Sequence, residues 1–69
     1  MEYQATIRHN GVNYTGAIAG SDAAAIDAAL RLLPTACPGD AALIVEQVYR
    51  DARHISYVTT WNKYLIATE

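Results

Sequence analysis

The sequence predicts an α+β fold: an antiparallel sheet of four to five strands, in the chain order β-β-α-β-β-β, with one helix packed on one face. Three observations carry that expectation. Asn10-Gly11 sits between two runs that alternate apolar and polar residues, Ser21-Asp22 precedes an alanine-rich stretch, and the residues after Asp40 are rich in β-branched and aromatic side chains. A chain of 69 residues has room for one core, so residues 1–69 are read as a single domain.

Asn-Gly is the preferred pair for a two-residue type I′ turn, because both central residues need φ > 0. Such a loop sets His9 opposite Val12, Ile7 opposite Tyr14, Ala5 opposite Gly16 and Tyr3 opposite Ile18 on one face. The other face then pairs Arg8 with Asn13, Thr6 with Thr15 and Gln4 with Ala17. The first face is apolar and the second polar, and a slip of one residue would scramble both. The second strand is expected over Val12 to Ala19.

Ser21 is suited to cap a helix, its hydroxyl accepting from a free amide of the first turn, and Asp22 favours the positive end of the helix dipole. Ala23 to Leu33 is dominated by strong helix formers. Ile26, Leu30 and Leu33 recur at i, i+4, i+7 and define one face, with Ala23 and Ala29 beside them. Asp27 and Arg31, four apart on the opposite side, form an exposed pair worth about 0.2–0.5 kcal/mol. Pro34 is expected to end the helix, because the residue before a proline is pushed out of α geometry. Thr35 to Asp40 reads as a turn-rich connection.

Residues 41 to 53 admit two periods. With period two, Leu43, Val45 and Tyr49 alternate with Ile44, Glu46, Val48 and Arg50. With a helical period, Ala41, Ile44, Val45, Val48, Tyr49 and Ala52 form one stripe that Asp40 would cap. The β-branched and aromatic content favours the strand. Asp51-Ala52-Arg53 then connects to a strand from Ile55 to Trp61. A tight turn at Asn62-Lys63 would pair Thr59 with Ile66 and Tyr57 with Thr68 on one face, and Val58 with Ala67 and Thr60 with Leu65 on the other.

Five basic against seven acidic side chains give a net charge of −2. The positives, Arg8, Arg31, Arg50, Arg53 and Lys63, are scattered, so the basic surface that direct nucleic-acid binding needs is not indicated. Equally, −2 is too small to argue for mimicry of DNA. Thirteen alanines inflate the apolar share of 52%, which implies a core of modest volume. No apolar run approaches the ~20 residues of a membrane span, and Met1-Glu2-Tyr3 lacks the start of a signal peptide. With one unpaired cysteine, Cys37, the expectation is a complete soluble domain in a reducing cytoplasm.

No catalytic constellation is legible. Ser21 is better explained as a cap than as a nucleophile, and no flanking charge lowers the pKa of the loop thiol Cys37. His9 and His54 have no further ligands at metal-site spacing, and the glycines form no phosphate loop. The expectation is a non-enzyme without cofactor or metal. The aromatic residues are more suggestive: Tyr57, Trp61 and Tyr64 share a face with Ile66. They either complete the core beneath the helix or present the aromatic composition enriched at binding hot spots. With Arg8 and Asn13 supplying a polar rim, these five residues form the candidate partner-binding set.

The stretch Tyr3-Gln4-Ala5-Thr6-Ile7-Arg8-His9-Asn10-Gly11, followed by Gly16-Ala17-Ile18-Ala19-Gly20-Ser21-Asp22 and an alanine-rich helix, resembles small anti-CRISPR proteins of phages and mobile elements, type I-F inhibitors among them. The resemblance covers residues 3 to about 33. It implies a non-catalytic inhibitor that binds a subunit of a crRNA-guided type I CRISPR-Cas surveillance complex and blocks DNA binding or nuclease recruitment. No contact residues carry over, because no binding motif matches position by position. The alternative is a homo-oligomeric structural or adaptor module, a homodimer for instance, which would cover an exposed sheet edge or the aromatic face.

Overall fold

A computed structural model of the chain describes residues 1–33 and 41–61, with the backbone alone at Tyr57 and Trp61. The elements are β1 (Glu2–His9), β2 (Val12–Thr15), α1 (Asp22–Leu30), β3 (Ala41–Val48) and β4 (Arg53–Trp61). The strands form one antiparallel sheet in the order β2-β1-β3-β4, and α1 lies across one of its faces. The α+β class and the strand reading of residues 41 to 48 stand. The expected fifth strand, the turn at Asn62-Lys63 and the loop with Cys37 lie outside the described residues, whereas the helix ends at Leu30, before the stop expected at Pro34.

Asn10 and Gly11 take φ of 53° and 76°, the left-handed pair that a type I′ turn requires. The expected pairs follow from it: His9–Val12, Arg8–Asn13, Ile7–Tyr14 and Thr6–Thr15. The Gly16 amide continues the ladder by donating to the Ala5 carbonyl at 3.1 Å. Beyond Gly16 the register departs from expectation. Tyr3 pairs with Ala19, not Ile18, through two backbone bonds of 2.8 and 2.9 Å. Regular β2 therefore ends at Thr15, Gln4 has no partner at Ala17, and Ile18 is 42% exposed instead of buried. One additional residue is accommodated between Gly16 and Ala19, which turns Ile18 outward and Ala19 inward.

The reason lies in the helix. A Cβ on Gly16 would stand 2.6 Å from the Ala29 nitrogen and 2.7 Å from the Ala28 carbonyl carbon. Strand and helix backbones approach here as closely as the missing side chain allows, and the chain leaves the ladder just after the contact. Ser21 caps α1 as expected, its hydroxyl accepting from the Ala24 amide at 3.1 Å. The helix is shorter than Ala23 to Leu33: it ends at Leu30, and Leu32 and Leu33 close a tighter turn through bonds to Ala29 and Leu30. Its buried face is also shifted from the expected one. Ala25 and Ala29 are buried, Ile26, Leu30 and Leu33 pack at the flanks, and Ala23 is exposed. The small pair takes the centre because only small side chains fit between backbones this close.

Opposite the helix, Ala5 and Ile7 of β1 and Ala41, Leu43 and Val45 of β3 complete the core, with Ile7, Leu43 and Val45 its largest fully buried side chains. Asp27 and Arg31 form the expected exposed ion pair at 2.8 Å. Two variants probe these contacts by urea denaturation. Gly16→Ala is expected to lower stability by about 1–3 kcal/mol, because the clash is with helix backbone that cannot step aside. Ser21→Ala is expected to cost about 1 kcal/mol through the lost cap.

A candidate docking surface on the open sheet face

Alternation assigns every described sheet position to the helix side or to the open side. Ala5, Ile7, Leu43 and Val45 point to the helix, so Glu2, Gln4, Thr6 and Arg8 of β1 and Ala42, Ile44, Glu46 and Val48 of β3 lie on the open side. Asn13 and Thr15 extend that side on β2. On β4 the assignment depends on an irregularity. Val45 pairs with Tyr57 but Glu46 pairs with Ile55, so Ser56 is an extra residue in the ladder. Ile55 and Val58 are three apart, a spacing that regular alternation sends to opposite faces. The bulge brings both to the open side, opposite Glu46 and Ile44 respectively.

The open face thus divides into two halves. Over β2 and β1 it is polar and internally hydrogen-bonded. The Thr6 and Thr15 hydroxyls lie 2.9 Å apart, and Arg8 donates through Nε to Asn13 Oδ1 at 2.9 Å. Gln4 spans the middle, donating through Nε2 to the Gly16 carbonyl at 2.8 Å and accepting from Arg53 Nη1. Arg53 also lies 3.7 Å from the Glu46 carboxylate. Over β3 and β4 the Glu46–Arg53 pair is set among apolar side chains: Ile44 and Val48 are half-buried, while Ile55 is 64% and Val58 58% exposed.

Of the expected partner-binding residues, Arg8 and Asn13 are exposed on the open face and bonded to each other. Tyr57 and Trp61 occupy register positions opposite Val45 and Ala41, two buried positions of β3. Tyr64 lies outside the described residues. Sequence reasoning passed over Ile44, Val48, Ile55 and Val58. Their signal was present in part, since β3 is apolar at both parities, as a strand contacted on both faces reads.

The residues considered for chemistry do not converge. His9 is buried at the Ala41 end of the sheet, whereas His54 pairs with Gln47 near the opposite end and stacks edge-on against Tyr49, 5.3 Å between ring centroids. Among the described residues no three His, Cys, Asp or Glu side chains come together, and no helix is long and apolar enough to cross a membrane. Comparison of the chain with protein-family models, with curated proteins and with solved structures returns no match.

Because Ile55 and Val58 project from the sheet, they contribute little to folding. Ile55→Thr and Val58→Thr keep the β-branch, and each is expected to stay within about 0.5 kcal/mol of the parent in urea melts.

Proposed function

We propose that this protein is a non-catalytic protein-binding inhibitor that docks through its open sheet face. The observation that carries the reading is the pairing of Ile55 and Val58, exposed on one side of the sheet by the Ser56 bulge, with a polar half already fixed by its own hydrogen bonds. Exposed apolar side chains rimmed by polar groups are what a protein contact surface offers. A rim whose rotamers are fixed before binding loses less entropy on association.

The target class rests on the resemblance of residues 3 to about 33 to small anti-CRISPR proteins. On that reading the partner is a subunit of a type I CRISPR-Cas surveillance complex in the bacterial cytoplasm, and occupancy blocks target-DNA binding or nuclease recruitment. The near-neutral open face, with Arg8 and Arg53 balanced by Glu2 and Glu46, favours a protein contact over a phosphate backbone.

The test is to titrate the chain into purified type I effector complexes and measure target-DNA binding and cleavage. Inhibition is expected to saturate at a fixed stoichiometry, and the Ile55→Thr/Val58→Thr double variant is expected to require at least about tenfold more protein, equivalent to about 1.4 kcal/mol. Binding and cleavage unchanged across the type I subtypes would overturn the target assignment.

A further inference from the structure

The open face matches a copy of itself. β1 carries Glu2 at one end and Arg8 at the other, both exposed and both on the open side. Six residues at about 3.3 Å each separate them by roughly 20 Å. Consider a second copy laid face to face on the first, related by a two-fold axis that runs across the strands at the paired residues Ala5 and Val45. Strand then lies over like strand in the reverse direction. Glu2 meets the partner's Arg8 at both ends of β1, and Val58 meets the partner's Ile55, because they lie on either side of the axis. Polar half covers polar half, and on the other half Val58 and Ile55 cover each other while Glu46, beside Arg53, stands over the partner's Ile44. An off-centre apolar patch gains this match only from an operation that keeps the strand order, and β1 supplies opposite charges at the two ends which that operation superposes.

We propose that, away from its target, the open face is closed by a second copy of this chain in a two-fold, face-to-face dimer. The inference rests on the reading of this face as a protein-contact surface. Sheets packed in this way stand about 10 Å apart, within the combined reach of a glutamate and an arginine side chain. Four strands about 4.8 Å apart and about eight residues long give a face of roughly 450 Å², near half of the ~800 Å² per partner of a standard interface. The dimer is therefore weak, with a dissociation constant in the micromolar range or above. It competes with the target for one face, so the monomer is the inhibitory form.

Sedimentation of the full chain, from about micromolar to about millimolar concentration, tests this. The apparent mass is expected to rise from 7.5 kDa towards twice that value. Glu2→Arg alone and Arg8→Glu alone are each expected to weaken self-association about tenfold, since like charges then meet at both ends of the interface. An equimolar mixture of the two variants is expected to restore it, because every end contact then joins opposite charges. Ile55→Thr/Val58→Thr is expected to weaken it as well.

A chain that stays monomeric throughout overturns the proposal and leaves the face to the target or to residues 62–69. Self-association indifferent to these substitutions overturns it in favour of another surface, such as the edge of β4. Weakening by the charge reversals without recovery in the mixture overturns the two-fold geometry. The two readings fail separately: effector inhibition measured at nanomolar chain, where the dimer has dissociated, tests target binding alone.

Discussion

The close approach of α1 to the Gly16 backbone governs much of what surrounds it. With the Ala28 and Ala29 backbone this near, any side chain at position 16 is excluded, and Ala25 and Ala29 can face the sheet only because they are small. Ala5 follows from the same geometry on the strand side. The contact also explains why an alanine-rich composition folds at all. Alanines bury little area each, but they let two backbones draw together, so the larger Ile7, Leu43 and Val45 are sealed in without a wide helix interface.

What was legible in the sequence was local. The Asn10-Gly11 turn, the Ser21 cap and the Asp27–Arg31 pair depend on residues within a few positions of each other, and all three are present in the expected geometry. The strand over residues 41 to 48 was readable from its β-branched content and not from its period, since β3 is apolar at both parities. The shift at Ile18 and Ala19 was hidden, since it is imposed by a helix backbone that packs on Gly16 from more than ten residues away in the chain. The Ser56 bulge was hidden too. Nothing local requires an extra residue there, and unbroken period two would put Ile55 on the side opposite Val58.

Those two irregularities decide the candidate site between them. The first ends regular β2 at Thr15 and leaves the Gly16 carbonyl to accept from Gln4, which anchors the polar half of the open face. The second turns Ile55 to join Val58 and builds the apolar half. Arg53 joins the halves through Gln4 and Glu46. The surface is thus a product of sheet defects at both flanks of a regular β1–β3 centre, whose seven consecutive pairs keep it rigid.

The bulge in β4 has a second consequence. Among the described residues β4 is an outer strand, and an uninterrupted outer strand offers evenly spaced amides and carbonyls, a template on which foreign strands stack into fibrils. At Ser56 that spacing breaks and the strand twists, so an incoming backbone falls out of step partway along. A polypeptide with so little core to spare would gain from such a brake on amyloid-like growth, leaving recognition to the side chains of its sheet instead of to its main chain.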